Sequence, residues 1–239
     1  MRVILFILYN LFLYPLFLLI TFFLSLFNSK IRRGVRGRFE TKNKLKKYFN
    51  QDLSSNAIYW FHAVSYGEYL QAEPVLEGIK KKEKNSIILM SFFSPSGYDN
   101  VNNQNIDCKV YIPFDIYWTM LNILDIVKPK KIIFATTDLW YNLIWLAKNR
   151  NIDTILIGAK SKKYFDNNLS ILNYMYKPMY RSLAKIFAIN NNDYLDINKY
   201  LGKSNNTIVY QVGNPRFDQV KFASENIKEI DKKLIKDRK

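Results

Sequence analysis

Residues 57–81 read AIYWFHAVSYGEYLQAEPVLEGIKK, and the change of period inside this stretch decides the fold. The first seven residues are apolar or aromatic almost without a break, the pattern of a strand buried on both faces. Ser65 and Gly67 then supply an N-cap and a tight turn, after which Tyr69, Ala72, Leu76 and Ile79 recur at helical spacing. Buried strand, short polar turn and amphipathic helix make one β/α unit.

The alternation continues on either side of this unit. Strand-like runs recur at 86–92, 108–112, 131–136, 153–158, 185–190 and 207–212, and helix-length segments at 116–127, 139–149 and 169–183 lie between most of them. Such repetition predicts an α/β fold, a Rossmann-like parallel sheet covered on both faces.

Of the 239 residues, 49% are hydrophobic, enough for a sizeable core, and the length suits one large domain with appendages. Lys and Arg exceed Asp and Glu by 16, and the position of that excess separates the partner classes. Residues 1–50 hold ten basic and one acidic residue, 221–239 seven and four, and the stretch between them nineteen and fifteen. A body so nearly balanced is not a nucleic-acid surface, which gathers Lys and Arg on its folded face. Cys108 and His62 are the only residues of their kinds, so neither an intrachain disulfide nor a Cys/His metal site is expected, and no cofactor is implied.

Residues 3–27 carry no charge, and as a helix they reach about 37 Å, beyond the roughly 30 Å hydrocarbon core of a bilayer. The run exceeds the apolar core of a cleaved leader, and no small-residue cleavage pattern follows, so 1–28 is expected to be an uncleaved anchor. Pro15 and the many Phe and Leu suit an interfacial helix equally, which leaves both spanning and shallow insertion open. Nine basic residues lie between Lys30 and Lys47 whereas only Arg2 precedes the run, which places the body on the cytoplasmic face of an inner membrane. Residues 29–55 are expected to be a basic juxtamembrane segment, within which Gly34 and Gly37 suggest a linker or a surface-lying segment over 28–50. An α/β domain over 56–220 and a charged connecting helix over 221–239, with Phe222, Ile227, Ile230 and Leu234 as its apolar stripe, complete the expected division.

Ligands of open parallel sheets bind beyond the carboxyl ends of the strands. The loops there read HAVSYGE (62–68), SPSG (94–97), PFD (113–115), TTDLW (136–140) and GNPRFD (213–218). Glu68 stands where a strand turns into a helix, either as a carboxylate base in the cleft or as a first-turn acid serving the helix dipole. His62, inside an aromatic strand, reads as a core histidine. Neither a glycine-rich dinucleotide fingerprint nor a P-loop occurs, and a Ser/His/Asp set would need His62 as its base.

Taken together, HAVSYGE (62–68), SPSG (94–97), YIPFD (111–115), DLWYNL (138–143) and GNPRFD (213–218) resemble, in order, the 3-deoxy-D-manno-octulosonic acid (Kdo) transferases of lipid A assembly. The resemblance implies the N-terminal, acceptor-binding half of a GT-B glycosyltransferase, with a lipid A precursor as its membrane partner. It further implies metal-independent transfer of Kdo from CMP-Kdo to a glucosamine hydroxyl, with most of the CMP-Kdo site on a second domain. Glu68 then becomes the general base and Arg216 a cation beside the donor's phosphate or carboxylate, where the family usually has lysine. Ser65, Gly67, Ser94, Ser96, Gly97, Asp138, Trp140 and Asn142 become the acceptor-binding set.

Two departures qualify this picture. The family places an acid at the position of Thr136, whose hydroxyl cannot carry a charge, so either Asp138 substitutes or catalysis is weakened. The motifs also run out after one domain, so the activity is expected to need a separately encoded or lost donor-binding half. The alternatives are a non-catalytic, membrane-associated binding module for lipid A or a partner enzyme, and half of a different GT-B transferase.

Overall fold

The computed structural model of the chain describes residues 3–53, 55–136, 138–165, 171–203, 205–215 and 217. It opens with α1 (Val3–Leu8), a π-helical turn (Tyr9–Leu13), α2 (Tyr14–Phe27) and α3 (Ser29–Phe49). The alternating body follows as β1 (Ala57–Ala63), α4 (Tyr66–Lys82), β2 (Ser86–Phe92), α5 (Pro95–Asn100), β3 (Cys108–Tyr111), α6 (Tyr117–Val127), β4 (Lys131–Ala135), α7 (Tyr141–Asn149), β5 (Asp153–Ala159), α8 (Ile171–Tyr180), β6 (Lys185–Ala188), α9 (Asn191–Leu201) and β7 (Ile208–Gln211).

All seven expected strands form, and they pair in parallel in the order β3-β2-β1-β4-β5-β6-β7. Period-2 alternation sends Trp60, Leu89 and Phe134 into one core layer, and Phe61, Met90 and Ile133 into the other against Tyr69 and Leu76 of α4. Burial on both faces is what made these strands read as unbroken apolar runs. The strand order reverses between β1 and β4, and this switch point opens a crevice at their carboxyl ends.

The stretch expected to be a linker or a surface-lying segment is instead a 21-residue helix, α3, packed on the edge of the sheet. Its glycines mark a close approach: a Cβ on Gly37 would fall 2.2 Å from Cδ2 of Tyr111, at the end of β3. Thr41 Oγ1, one turn further on, donates to the Gly37 or the Tyr111 carbonyl, at 3.0 and 2.9 Å. Interior glycines weaken a helix by about 1 kcal/mol each; here the missing side chain of Gly37 lets α3 lie against the strand. Asn28 caps α3 by accepting from the backbone N–H groups of Lys30 and Ile31.

Two further helices were not anticipated. The six residues of α5 begin at Pro95, and α9 is rich in Asn and Asp, poor helix formers in a helix interior. The sequence nevertheless holds a start signal for α9, since Asn190 caps it through the N–H of Asp193 and Ile197 and Leu201 follow on its buried face. The helix expected over 169–183 appears as α8, and the one expected over 221–239 lies outside the described residues.

Candidate functional site

The crevice is lined by the loops after β1, β2 and β4, and backbone ties the first two together. Ser94 N–H donates to the Val64 carbonyl at 2.8 Å, so the HAVSYGE and SPSG loops share one rim. Ser65 caps α4 through its carbonyl, which accepts from Glu68 and Tyr69, while its hydroxyl makes no cap hydrogen bond. Gly67 and Glu68 occupy the first turn. Glu68 folds back so that Oε2 accepts from the Val64 N–H at 2.6 Å, a close relative of the capping box. The bond fixes a half-buried carboxylate at the positive end of a helix.

Strain marks the end of β4. Thr136 has φ +64°, a left-handed conformation costly for a β-branched residue, and its hydroxyl is buried without a hydrogen-bond partner. The Thr136 N–H pairs with the Ile157 carbonyl at 3.0 Å. Two residues on, Asp138 Oδ2 lies 3.1 Å from Nε2 of His62. That imidazole is fully buried, with Nδ1 3.1 Å from the Ser91 carbonyl and 3.0 Å from its hydroxyl. Trp140 Nε1 also approaches His62 Nε2, at 3.2 Å. When Nε2 accepts from the indole, the contact to Asp138 requires a proton on the carboxyl; when Nε2 carries the proton, it donates to Asp138. Either way, His62 is in hydrogen-bond contact with a carboxylate 32% exposed at the rim. The histidine is buried as expected, yet it reaches the site through Asp138.

Arg38 escaped the sequence reading because it sits in a run of basic residues. Its guanidinium donates to the Phe93 carbonyl at 2.6 Å and lies 4.4 Å from the centre of the Phe93 ring. Burial lowers its pKa, and the field of the neighbouring Tyr14, Tyr111 and Asp138 opposes that shift. Only the contact of Gly34 and Gly37 with the body, invisible in the local sequence, distinguishes Arg38 from its solvated neighbours. Arg38, Lys30, Ser94 and Ser96 line a cleft of about 450 Å³ whose other wall includes Phe17, Leu24, Ile31 and Phe93. Cationic and hydroxyl groups thus face an apolar trough. Ser94 and Ser96 share a hydrogen bond of 2.8 Å at its edge.

Not every expected residue reaches this rim. Gly97 is buried beneath it, where a Cβ would fall 2.3 Å from Phe92 Cδ1. Asn142 is fully buried and committed to the Asp115 carbonyl and the side chain of Asn10. Trp140 is 9% exposed and stacks on Phe93. Arg216 lies outside the described residues. A larger cavity of about 930 Å³ lies at the opposite end of β1, beside Ile58, away from the switch point.

Residues 33–219 match the family described as 3-deoxy-D-manno-octulosonic-acid transferase (kdotransferase). Among curated proteins, the chain is 26% identical over 154 residues to a bifunctional glycosyltransferase/methyltransferase of Fusobacterium nucleatum, which covers 60% of this chain and 24% of that one. It is 27% identical over 122 residues to a 3-deoxy-D-manno-octulosonic acid transferase of Aquifex aeolicus, covering 49% and 33%, and 29% identical over 103 residues to that of Haemophilus influenzae, covering 42% and 24%. The matches thus span a quarter to a third of these relatives. The fold is also similar to that of a UDP co-structure of MnaA from S. aureus, at a TM-score of 0.50 and 12% identity over 74% of this chain and 49% of that one.

Proposed function

The chain belongs to the 3-deoxy-D-manno-octulosonic-acid transferase family, and from that premise we propose that it is the acceptor-binding unit of a Kdo transferase. In this reading it holds a lipid A precursor at the cytoplasmic surface of an inner membrane while Kdo arrives from CMP-Kdo on a donor-binding half. The observation that carries the reading is the part-apolar cleft lined by Arg38, Lys30, Ser94 and Ser96, whose Ser94 loop is hydrogen-bonded to Val64, the residue that holds the Glu68 carboxylate. A lipid with anionic groups fits such a trough, its chains against Phe17, Leu24 and Ile31 and its charge toward Arg38 and Lys30. Glu68 would take the proton of the attacking sugar hydroxyl, a step for which a positioned carboxylate supplies typically 10²- to 10⁴-fold. To do so it must leave the Val64 N–H or act through Oε1.

Asp138 supports this role as a carboxylate, hydrogen-bonded to His62, two residues from the position where the family's acid is replaced by Thr136. A non-catalytic binding module is the second reading, favoured by the uncharged Thr136. Binding of a lipid A precursor in phospholipid vesicles tests what the two share. Saturable binding that weakens at least tenfold in Arg38→Ala supports the acceptor site, and binding indifferent to Arg38 removes it.

A further inference from the structure

We propose that Val3–Phe27 does not cross the bilayer but lies along its surface, one face docked on the α/β body and the other sunk in a single leaflet of anionic phospholipid. This rests on the membrane part of the preceding reading and is independent of its chemistry.

The docked face is a continuous stripe. Phe6 packs on Trp145 at 4.5 Å between ring centres, and Tyr9 on Tyr141 at 4.8 Å. Asn10 and Asn142 exchange side-chain hydrogen bonds of 3.0 and 2.8 Å. Tyr9 donates to Asp115 Oδ2 at 2.8 Å, and the Tyr14 hydroxyl accepts from the Asp115 N–H at 2.6 Å. Leu18 packs against the core, and Phe22 meets Phe114 at 5.8 Å. The π-helical turn explains how Tyr9 and Tyr14, five residues apart, grip the same aspartate: its wider period brings i and i+5 onto one face. Pro15 lacks the N–H that an unbroken α-helix would use there.

Length then decides between crossing and lying flat. Contacts with the body run from Leu5 to Phe22, about 26 Å of a segment about 37 Å long, so roughly 11 Å stays clear of it, too little for a hydrocarbon core of about 30 Å. Erecting the segment would break the Asn10–Asn142 pair, carry an amide into hydrocarbon and leave the buried Asn142 Oδ1 without the donor that Asn10 supplies.

The outer face identifies what covers it. Ile4, Leu11, Phe12, Leu19, Phe23 and Leu26 are each at least 59% exposed, on a segment of mean hydropathy 2.5. Beyond Phe27, the exposed Lys30, Arg32, Arg33 and Arg36 open α3. An apolar face continued by exposed cations is complementary to acyl chains bordered by anionic headgroups.

A hydrophilic epitope placed ahead of Met1 of the full chain reads the arrangement in inside-out membrane vesicles, with no transferase activity required. Protease should remove the epitope and digest the body from the same, outer side. An epitope protected there while the body is digested would overturn the proposal in favour of a spanning helix. Purified protein should float with phosphatidylethanolamine/phosphatidylglycerol vesicles at least tenfold better than with phosphatidylcholine vesicles. Equal flotation, or none with the protein recovered as a dimer, would overturn the lipid assignment. Asn10→Leu adds a readout that separates the geometries: thermal stability should fall for a docked segment, and an unchanged or raised value contradicts docking.

Discussion

Replacing Gly37 by alanine tests whether α3 belongs to the folded body. Alanine is the better helix former by about 1 kcal/mol, so in a helix that touched nothing the change would stabilise. Here the new Cβ would meet Tyr111 Cδ2 at 2.2 Å and Cε2 at 2.4 Å, where ordinary contact begins at 3.4 Å. The ring would have to retreat by more than an ångström while stacked on Tyr98, 4.4 Å away and 14° from parallel. Overpacking of this kind costs typically 1–3 kcal/mol, which offsets the gain in propensity and leaves a net loss of up to about 2 kcal/mol and a melting temperature lower by up to about 8 °C. Gly78 in α4 is the internal control, because a Cβ there meets nothing within 4 Å. Gly78→Ala should raise stability by about 0.5–1 kcal/mol. Thermal unfolding followed by circular dichroism compares both variants with the parent chain, and adding Tyr111→Leu to Gly37→Ala should restore most of the loss. If Gly37→Ala stabilised the chain as Gly78→Ala does, the packing of α3 on β3 would be refuted.

Further predictions concern the buried carboxylate and the altered acid. Burial raises the Asp115 pKa from 3.8 to about 7, against the hydrogen bonds it accepts from the Asn142 N–H, the Tyr9 hydroxyl and the Leu143 N–H. The folded state therefore holds a proton that the unfolded chain has released, and this stability is present below pH about 4 and lost as pH rises to about 7, by roughly 4 kcal/mol at most. In denaturant titrations at several pH values, Asp115→Asn should remove that downward slope, and an identical slope in both proteins would argue against the assignment. The Cys108 thiol, buried and pushed up to about 11, should resist maleimide in the folded protein near neutral pH and react on unfolding. With a donor-binding half supplied, Thr136→Glu should raise turnover, and unchanged turnover would show that Thr136 does not limit catalysis.

Much of the sheet was legible because Trp60, Phe61, Leu89 and Met90 face covered layers, so their strands stand out without long-range information. What stayed hidden depends on partners distant in sequence. Gly34 and Gly37 read as loop residues because Tyr111, which gives Gly37 its purpose, lies on another element. Asn142 looked like a site residue because it lies in a family motif, yet Asn10, far away in the chain, claims its side chain. Arg38 was one cation among many until its contact with Phe93 set it apart. The back-folding of Glu68 had a local signal, the Ser65–Glu68 spacing of a capping box, which is compatible with either role of that carboxylate.

The most direct test of the central claim is the rate of Kdo transfer from CMP-Kdo to a lipid A precursor by the chain with a donor-binding half supplied, compared with the same assembly carrying Glu68→Gln. The account predicts transfer by the parent chain and a loss of about 10² to 10⁴ in turnover for the variant, with its fold and acceptor binding kept. Equal turnover in the two proteins would contradict it and return Glu68 to the first turn of its helix.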